Sequence, residues 1–127
     1  MPNMEVVKYK ILLVEDTLIA QKIAELVLGS LGCELDIVDK GYEALELATH
    51  NCYHLILMDI GLPDIDGLSL TKLIRQSELS DTHVPIIALT AHSEETIGDQ
   101  IREAGLDDYL IKPLTYDVGQ QLLAKYI

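Results

Sequence analysis

The sequence predicts one α/β domain in which a parallel β-sheet is covered by helices on both faces. Three observations carry that prediction. Short apolar runs with β-branched residues recur along the chain, as strands buried on both faces require. Between them lie longer stretches whose apolar residues repeat at the helical period, so that strand and helix alternate five times. Parallel neighbours need crossover connections of that length, and such crossovers are almost always right-handed.

The first strand is read at residues 11–14, a continuous Ile-Leu-Leu-Val run. A helix follows at 18–31. At about 100° per residue, Ile19, Ala20, Ile23, Ala24, Leu26, Val27, Leu28 and Leu31 fall on one apolar arc. Gln21, Lys22, Glu25 and Gly29 take the other side, with Leu18 an exposed apolar residue among them. Gly32 then suits a left-handed helix end. Residues 34–38 read as a weaker strand, 41–49 as a helix, 53–58 as a strand and 68–77 as a helix. The fourth strand is placed at 83–89, with Pro85 near its start, where a missing N–H is tolerated. Ser93 caps a helix over 94–104, with Glu94 and Glu95 at its positive end and Gly105 just past its close. A last strand at 109–111 and a helix at 114–126 complete the alternation.

With 127 residues the chain fits a single domain, read here as residues 9–127 behind a short N-terminal extension over 1–8. Its net charge of −12 repels nucleic-acid phosphates and anionic lipid, so no nucleic-acid or direct membrane contact is expected and the partners are proteins or a cation. No leader or membrane-length apolar run is visible, and a cytoplasmic location is expected. Cys33 and Cys52 are too far apart for a C-x-x-C motif and are read as small buried residues.

The chemistry gathers where strands end. Glu15 and Asp16 close the first run, Asp59 the third and Thr90 the fourth, and Tyr109 and the pair Lys112-Pro113 follow. In open α/β sheets ligands bind beyond the carboxyl ends of the strands, so three carboxylates, a hydroxyl and an ammonium converge at one edge. Two carboxylates ~4 Å apart repel by about 4 kcal/mol at an effective dielectric of roughly 20, and three of them call for a cation or raised pKa values. Magnesium fits such a set, because it takes one or two carboxylates and fills its other positions with water and phosphate oxygens.

The stretches Val14-Glu15-Asp16, residues 57–67 around Asp59, Ala88-Leu89-Thr90-Ala91 and Lys112-Pro113-Leu114 resemble the receiver domain of two-component signalling across residues 9 to 127. The resemblance implies a flavodoxin-like, doubly wound five-stranded sheet in order 2-1-3-4-5 with five helices. It implies Asp59 as phosphoacceptor from a phosphohistidine donor, with Mg2+ bound by Asp16, by Glu15 through water, by Asp59 and by the Gly61 carbonyl. Thr90 would then bond a phosphoryl oxygen, Lys112 would pair with its charge, and Thr90 and Tyr109 would form a switch. A cis bond before Pro113 is implied as well. On this reading the domain is not a turnover enzyme but catalyses its own phosphotransfer and dephosphorylation.

The stretches 58–64, 88–92 and 104–108 are most similar to receivers of hybrid sensor histidine kinases, so a histidine kinase or a histidine phosphotransfer domain is the expected partner. The last helix runs nearly to Ile127, which places the expected output in another protein. Gly61 offers no side chain against attacking water, and His92 stands two residues after Thr90, so both positions bear on phosphoryl lifetime. A rival D-x-D nucleophile at Asp64 and Asp66 lacks the expected Thr or Val, since Leu68 follows instead. A calcium loop there fails because Arg75 takes the place of its bidentate Glu. His50 and His54 straddle a helix-to-strand junction and make no zinc pair.

Overall fold

The computed structural model describes residues 8–78, 82–91 and 97–127. Strands β1 (Tyr9–Val14), β2 (Cys33–Val38), β3 (Leu55–Asp59), β4 (Ile86–Thr90) and β5 (Asp108–Ile111) alternate with helices α1 (Leu18–Ser30), α2 (Gly41–His50), α3 (Gly67–Ser77), α4 (Ile97–Ala104) and α5 (Tyr116–Tyr126). The strands form one parallel sheet in the order β2-β1-β3-β4-β5. That is the implied doubly wound architecture.

The alternation of side chains along the central strands divides the core in two. Leu12, Val14, Ile56, Met58, Ile86 and Ala88 point to one face, where Ala44, Leu70, Ile74, Ile101 and Ala104 of α2, α3 and α4 cover them. Ile11, Leu13, Leu55, Leu57, Ile87 and Leu89 point to the other, under Ala24 and Leu28 of α1 and Leu122 of α5. The buried parts of β1, β3 and β4, residues 11–14, 55–58 and 86–89, are apolar without interruption because helices lie on both sides. The outer strand β2 has half-exposed positions, hence its weak apolar signal in the sequence.

Several expected boundaries shift, each for a physical reason. Strand β4 begins at Ile86 and not at residue 83, because the preceding backbone is claimed by side chains. The Val84 N–H donates to Glu78 (2.8 Å), the Val84 carbonyl accepts from Arg75 (2.7 Å), and the Ile86 N–H donates to Asp107 (2.9 Å). Helix α5 starts at Tyr116, capped by the Thr115 hydroxyl oxygen, which accepts from the Val118 N–H. On α1 the buried strip is narrower than the apolar arc: Ile19 and Leu26 are each 75% exposed, as is Leu18 at 68%. Both expected helix-ending glycines have positive φ, 85° at Gly32 and 99° at Gly105. Ser93, Glu94, Glu95 and His92 lie outside the described residues.

The two cysteines differ from expectation. Both are free, but only Cys33 is buried, because Cys52 falls in the connection between α2 and β3, where it is exposed. His54 serves the sheet: its Nδ1 accepts the Lys10 N–H (3.0 Å), while its own N–H donates to the Lys10 carbonyl (2.9 Å), extending the β1–β3 ladder.

Candidate functional site

Every charged group of the site stands at or just beyond the carboxyl end of β1, β3 or β5, so the order of the strands decides which of them meet. Glu15 continues β1, its N–H donating to the Val38 carbonyl at 3.0 Å, and its side chain is turned fully inside, at 0% exposure. One carboxylate oxygen, Oε2, accepts both the Thr17 N–H (2.9 Å) and the Thr17 hydroxyl (3.0 Å). The other, Oε1, is buried and paired with the Lys112 ammonium at 2.5 Å. A buried carboxylate oxygen so placed needs positive charge.

Asp59 closes β3 on the adjacent strand. Its Oδ1 accepts the Gly61 N–H at 2.9 Å, and its Oδ2 lies 3.2 Å from Lys112 Nζ. Gly67 lets α3 start close beneath this strand end: a Cβ there would stand 2.6 Å from Ile60 Cα and 2.9 Å from the Asp59 carbonyl. Asp16 stands exposed at the mouth. Ligand oxygens of Glu15, Asp16 and Asp59 all lie within 4.8 Å of one another. Thr90, buried at the end of β4, accepts the Lys112 N–H on its carbonyl at 2.8 Å, which ties the lysine's backbone to the neighbouring strand. The Lys112–Pro113 peptide is cis, as the resemblance implies. Tyr109 of β5 pairs with Ala88 of β4, two residues before Thr90, and its side chain is exposed.

The charges divide unequally. Asp16 is exposed, yet the partial loss of water on its cleft side raises its carboxyl above the ordinary value, and hydrogen bonds with Asp59 and Glu15 add to the rise. Burial works the same way on Asp59 but is outweighed by the Gly61 N–H, by Asp16 and by the Lys112 ammonium, so that Asp59 is held below its ordinary value. Lys112 is opposed by burial yet held above the ordinary lysine range by Glu15 and Asp59. The two neighbouring carboxyls are thus pushed in opposite directions, Asp16 up and Asp59 down. The donor set is all hard oxygen and crowded with negative charge, which fits a small divalent ion.

Sequence reasoning missed the supports of this cleft. Gln21, one turn into α1, donates from Nε2 to the Glu15 carbonyl at 2.7 Å. The rival nucleophile Asp64 starts α2 from a distance, accepting the Gly41 N–H (2.8 Å) and the Tyr42 N–H (3.1 Å). Asp66 caps α3 by accepting the Ser69 N–H (2.9 Å) and hydroxyl (2.8 Å). The D-x-D signal in this loop is thus a pair of helix caps. Only the distant bonds to Gly41 and Tyr42 had no local signature.

A five-stranded doubly wound parallel sheet with an acidic cleft at its carboxyl edge and a lysine between two of the carboxylates defines the class: an α/β module whose donor set suits a hard cation. Comparison with known proteins names the kind. Residues 11–124 match the response regulator receiver domain family, and the chain belongs to it. It is 39% identical to the receiver domain of a sensor histidine kinase from Pseudomonas aeruginosa, solved with a magnesium ion coordinated in its active-site cleft. The two superpose with a TM-score of 0.85 over 94% of this chain and 98% of that one. Over 97% of its length the chain is 35% identical to hybrid signal transduction histidine kinase I of Dictyostelium discoideum, and over 94% it is 35% identical to transcription factor SKN7 of Candida albicans. It spans 8% and 21% of those two proteins. Among the described residues no helix is long and apolar enough to cross a membrane.

Proposed function

We propose that Asp59 is the phosphoacceptor of a two-component phosphorelay, within a receiver domain running from residue 9 to 127 behind an extension over 1–8. The observation that carries the reading is the Lys112 ammonium set between two carboxylates, 2.5 Å from Glu15 and 3.2 Å from Asp59. The ammonium and the Gly61 N–H favour the charged form of Asp59, the form that can attack phosphorus.

Magnesium is the cation the donor set suits, and the related Pseudomonas aeruginosa receiver holds magnesium in its cleft. Asp16, Asp59 and the Gly61 carbonyl would bind it directly and Glu15 through water. Bound there, it supplies positive charge against the phosphoryl oxygens. An Asp59 carboxylate oxygen attacks phosphorus, the N–P bond of a phosphohistidine breaks, and the electron pair leaves with the imidazole nitrogen. Lys112 meets the charge that gathers on the transferred group, and the Thr90 hydroxyl donates to one of its oxygens. Drawing Thr90 inward frees space for the Tyr109 ring, and that exchange is the conformational output. Self-dephosphorylation is part of the same reading, and an open approach supports it: among the described residues a Cβ at Gly61 would meet only Asp59 Oδ1, at 3.7 Å.

The partner in this reading is a histidine kinase or a histidine phosphotransfer domain. The relatives include a hybrid kinase, and an apolar groove of about 410 Å³ between α1 and the Lys112–Leu114 segment gives a donor protein a contact beside Asp59. The net charge of −12 speaks against nucleic acid and anionic membranes as direct partners. The reading also places the domain in the cytoplasm, where phosphohistidine is made from ATP.

Incubation with acetyl phosphate and magnesium tests the proposal by mass spectrometry. One phosphoryl adduct is expected on the wild-type chain, and none on Asp59→Asn or in the presence of EDTA. An adduct that survives Asp59→Asn, or turnover abolished by Asp64→Asn, overturns it.

A further inference from the structure

Thr17 stands immediately ahead of α1, in the position from which a threonine ordinarily turns its hydroxyl oxygen to the free N–H groups of a helix start. Two other helices of this chain use that device. Asp66 accepts from the Ser69 N–H at the start of α3, and Thr115 accepts from the Val118 N–H at the start of α5. Thr17 and Thr115 share residue type, position and extended backbone, with φ −96° and ψ 134° at the first and φ −111° and ψ 162° at the second. Yet Thr17 makes no side-chain cap. Its hydroxyl donates to Glu15 Oε2 at 3.0 Å, and its N–H donates to the same oxygen at 2.9 Å.

We propose that Thr17 is a positioning residue for the cation site, holding the Glu15 carboxylate so that Oε1 stays turned into the cleft. Glutamate has one more rotatable bond than the two aspartates beside it and so loses more freedom when ordered. A carboxylate whose Oε2 is bonded twice cannot turn over without breaking both bonds. The backbone of Glu15 is restrained from the same helix, by the Gln21 amide at 2.7 Å. The first turn of α1 thus gives up a cap to set a cation ligand.

This inference rests on the reading that magnesium sits among Glu15, Asp16 and Asp59, and the experiment separates the two. Magnesium alone is titrated into the wild-type chain and into Thr17→Val, Thr17→Ser, Thr17→Ala and Asp16→Asn. Binding is followed by calorimetry and by the amide resonances of Asp59 and Gly61, and thermal unfolding is measured separately in EDTA. Thr17 is exposed, so none of its variants disturbs the core. Thr17→Val and Thr17→Ala are expected to weaken magnesium binding by roughly tenfold, and Thr17→Ser to stay within about twofold of wild type. A merely structural threonine would move the unfolding temperature and leave magnesium affinity alone. Wild-type affinity in Thr17→Val, or an equal loss in Thr17→Ser, overturns the role of Thr17 while leaving the cation site standing. A wild-type chain that ignores magnesium, or an Asp16→Asn variant that binds it unchanged, removes the site and this proposal together.

Discussion

Asp66 carries a prediction that separates a cap from a catalyst. Its carboxyl is held below the ordinary 3.8, first by the Ser69 N–H and then by the Ser69 hydroxyl. A group whose folded pKa is depressed adds stability above its unfolded value and loses it as pH falls through the folded one. Asp66→Ala should therefore cost about 1 kcal/mol at neutral pH, Asp66→Asn much less, and the gap to wild type should close as pH drops below about 4. Denaturant unfolding across that range checks it. Asp66 could be read as a cap from its place ahead of an apolar periodic segment. The Thr17 hydroxyl could not, because choosing Glu15 over the helix depends on where a buried carboxylate comes to rest.

Among the elements, the loops at the amino edge of the sheet are bound by one side chain. Arg75 near the end of α3 donates from Nε to the Gly105 carbonyl (2.9 Å), from Nη1 to Glu78 and the Val84 carbonyl, and from Nη2 to Asp107 (2.8 Å). Asp107 in turn holds the Ile86 N–H and the His83 ring. A guanidinium offers five donors in a rigid plane and an ammonium offers three on a point, so Arg75→Lys is not a conservative change here. Arg75→Ala should lower unfolding free energy by about 2 kcal/mol, with Arg75→Lys recovering less than half, as read by urea titration. This clamp was illegible in sequence, since Arg75 lies 32 positions from Asp107. It is also why the fourth strand starts three residues later than its apolar run: the Val84 and Ile86 backbone answers to side chains first.

Across the whole molecule, the two ends of the α4–β5 unit are held differently. At the amino edge Arg75 fixes Gly105 and Asp107; at the carboxyl edge the Lys112 ammonium stands 3.2 Å from Asp59 and its N–H donates to the Thr90 carbonyl. If the switch operates as proposed, a phosphoryl mimic bound with magnesium should shift the amide resonances of Thr90, Ile111 and Lys112 strongly and those of Gly105 and Asp107 little. Unshifted resonances from residue 90 to 112 would remove the switch. A uniform shift along the unit would mean that Arg75 does not anchor it.

What the sequence determined by itself was the class of fold and the acidic trio, Glu15, Asp16 and Asp59, that the fold gathers. Burial on both faces makes the central runs 11–14, 55–58 and 86–89 wholly apolar, and the polar residues Glu15, Asp59 and Thr90 that end those runs mark the carboxyl edge of the sheet. Tertiary structure decided the rest. Periodicity gives the direction of a helix face but not how much of it a neighbour covers, so Ile19 and Leu26 are out in solvent while Ala24 and Leu28 are buried. The division of Glu15 between Thr17 and Lys112 arises because β1 and the residue just past β5 arrive at one edge from opposite ends of the chain. Contacts between residues 97 positions apart follow from the order in which strands pair, and local pattern carries no record of that order.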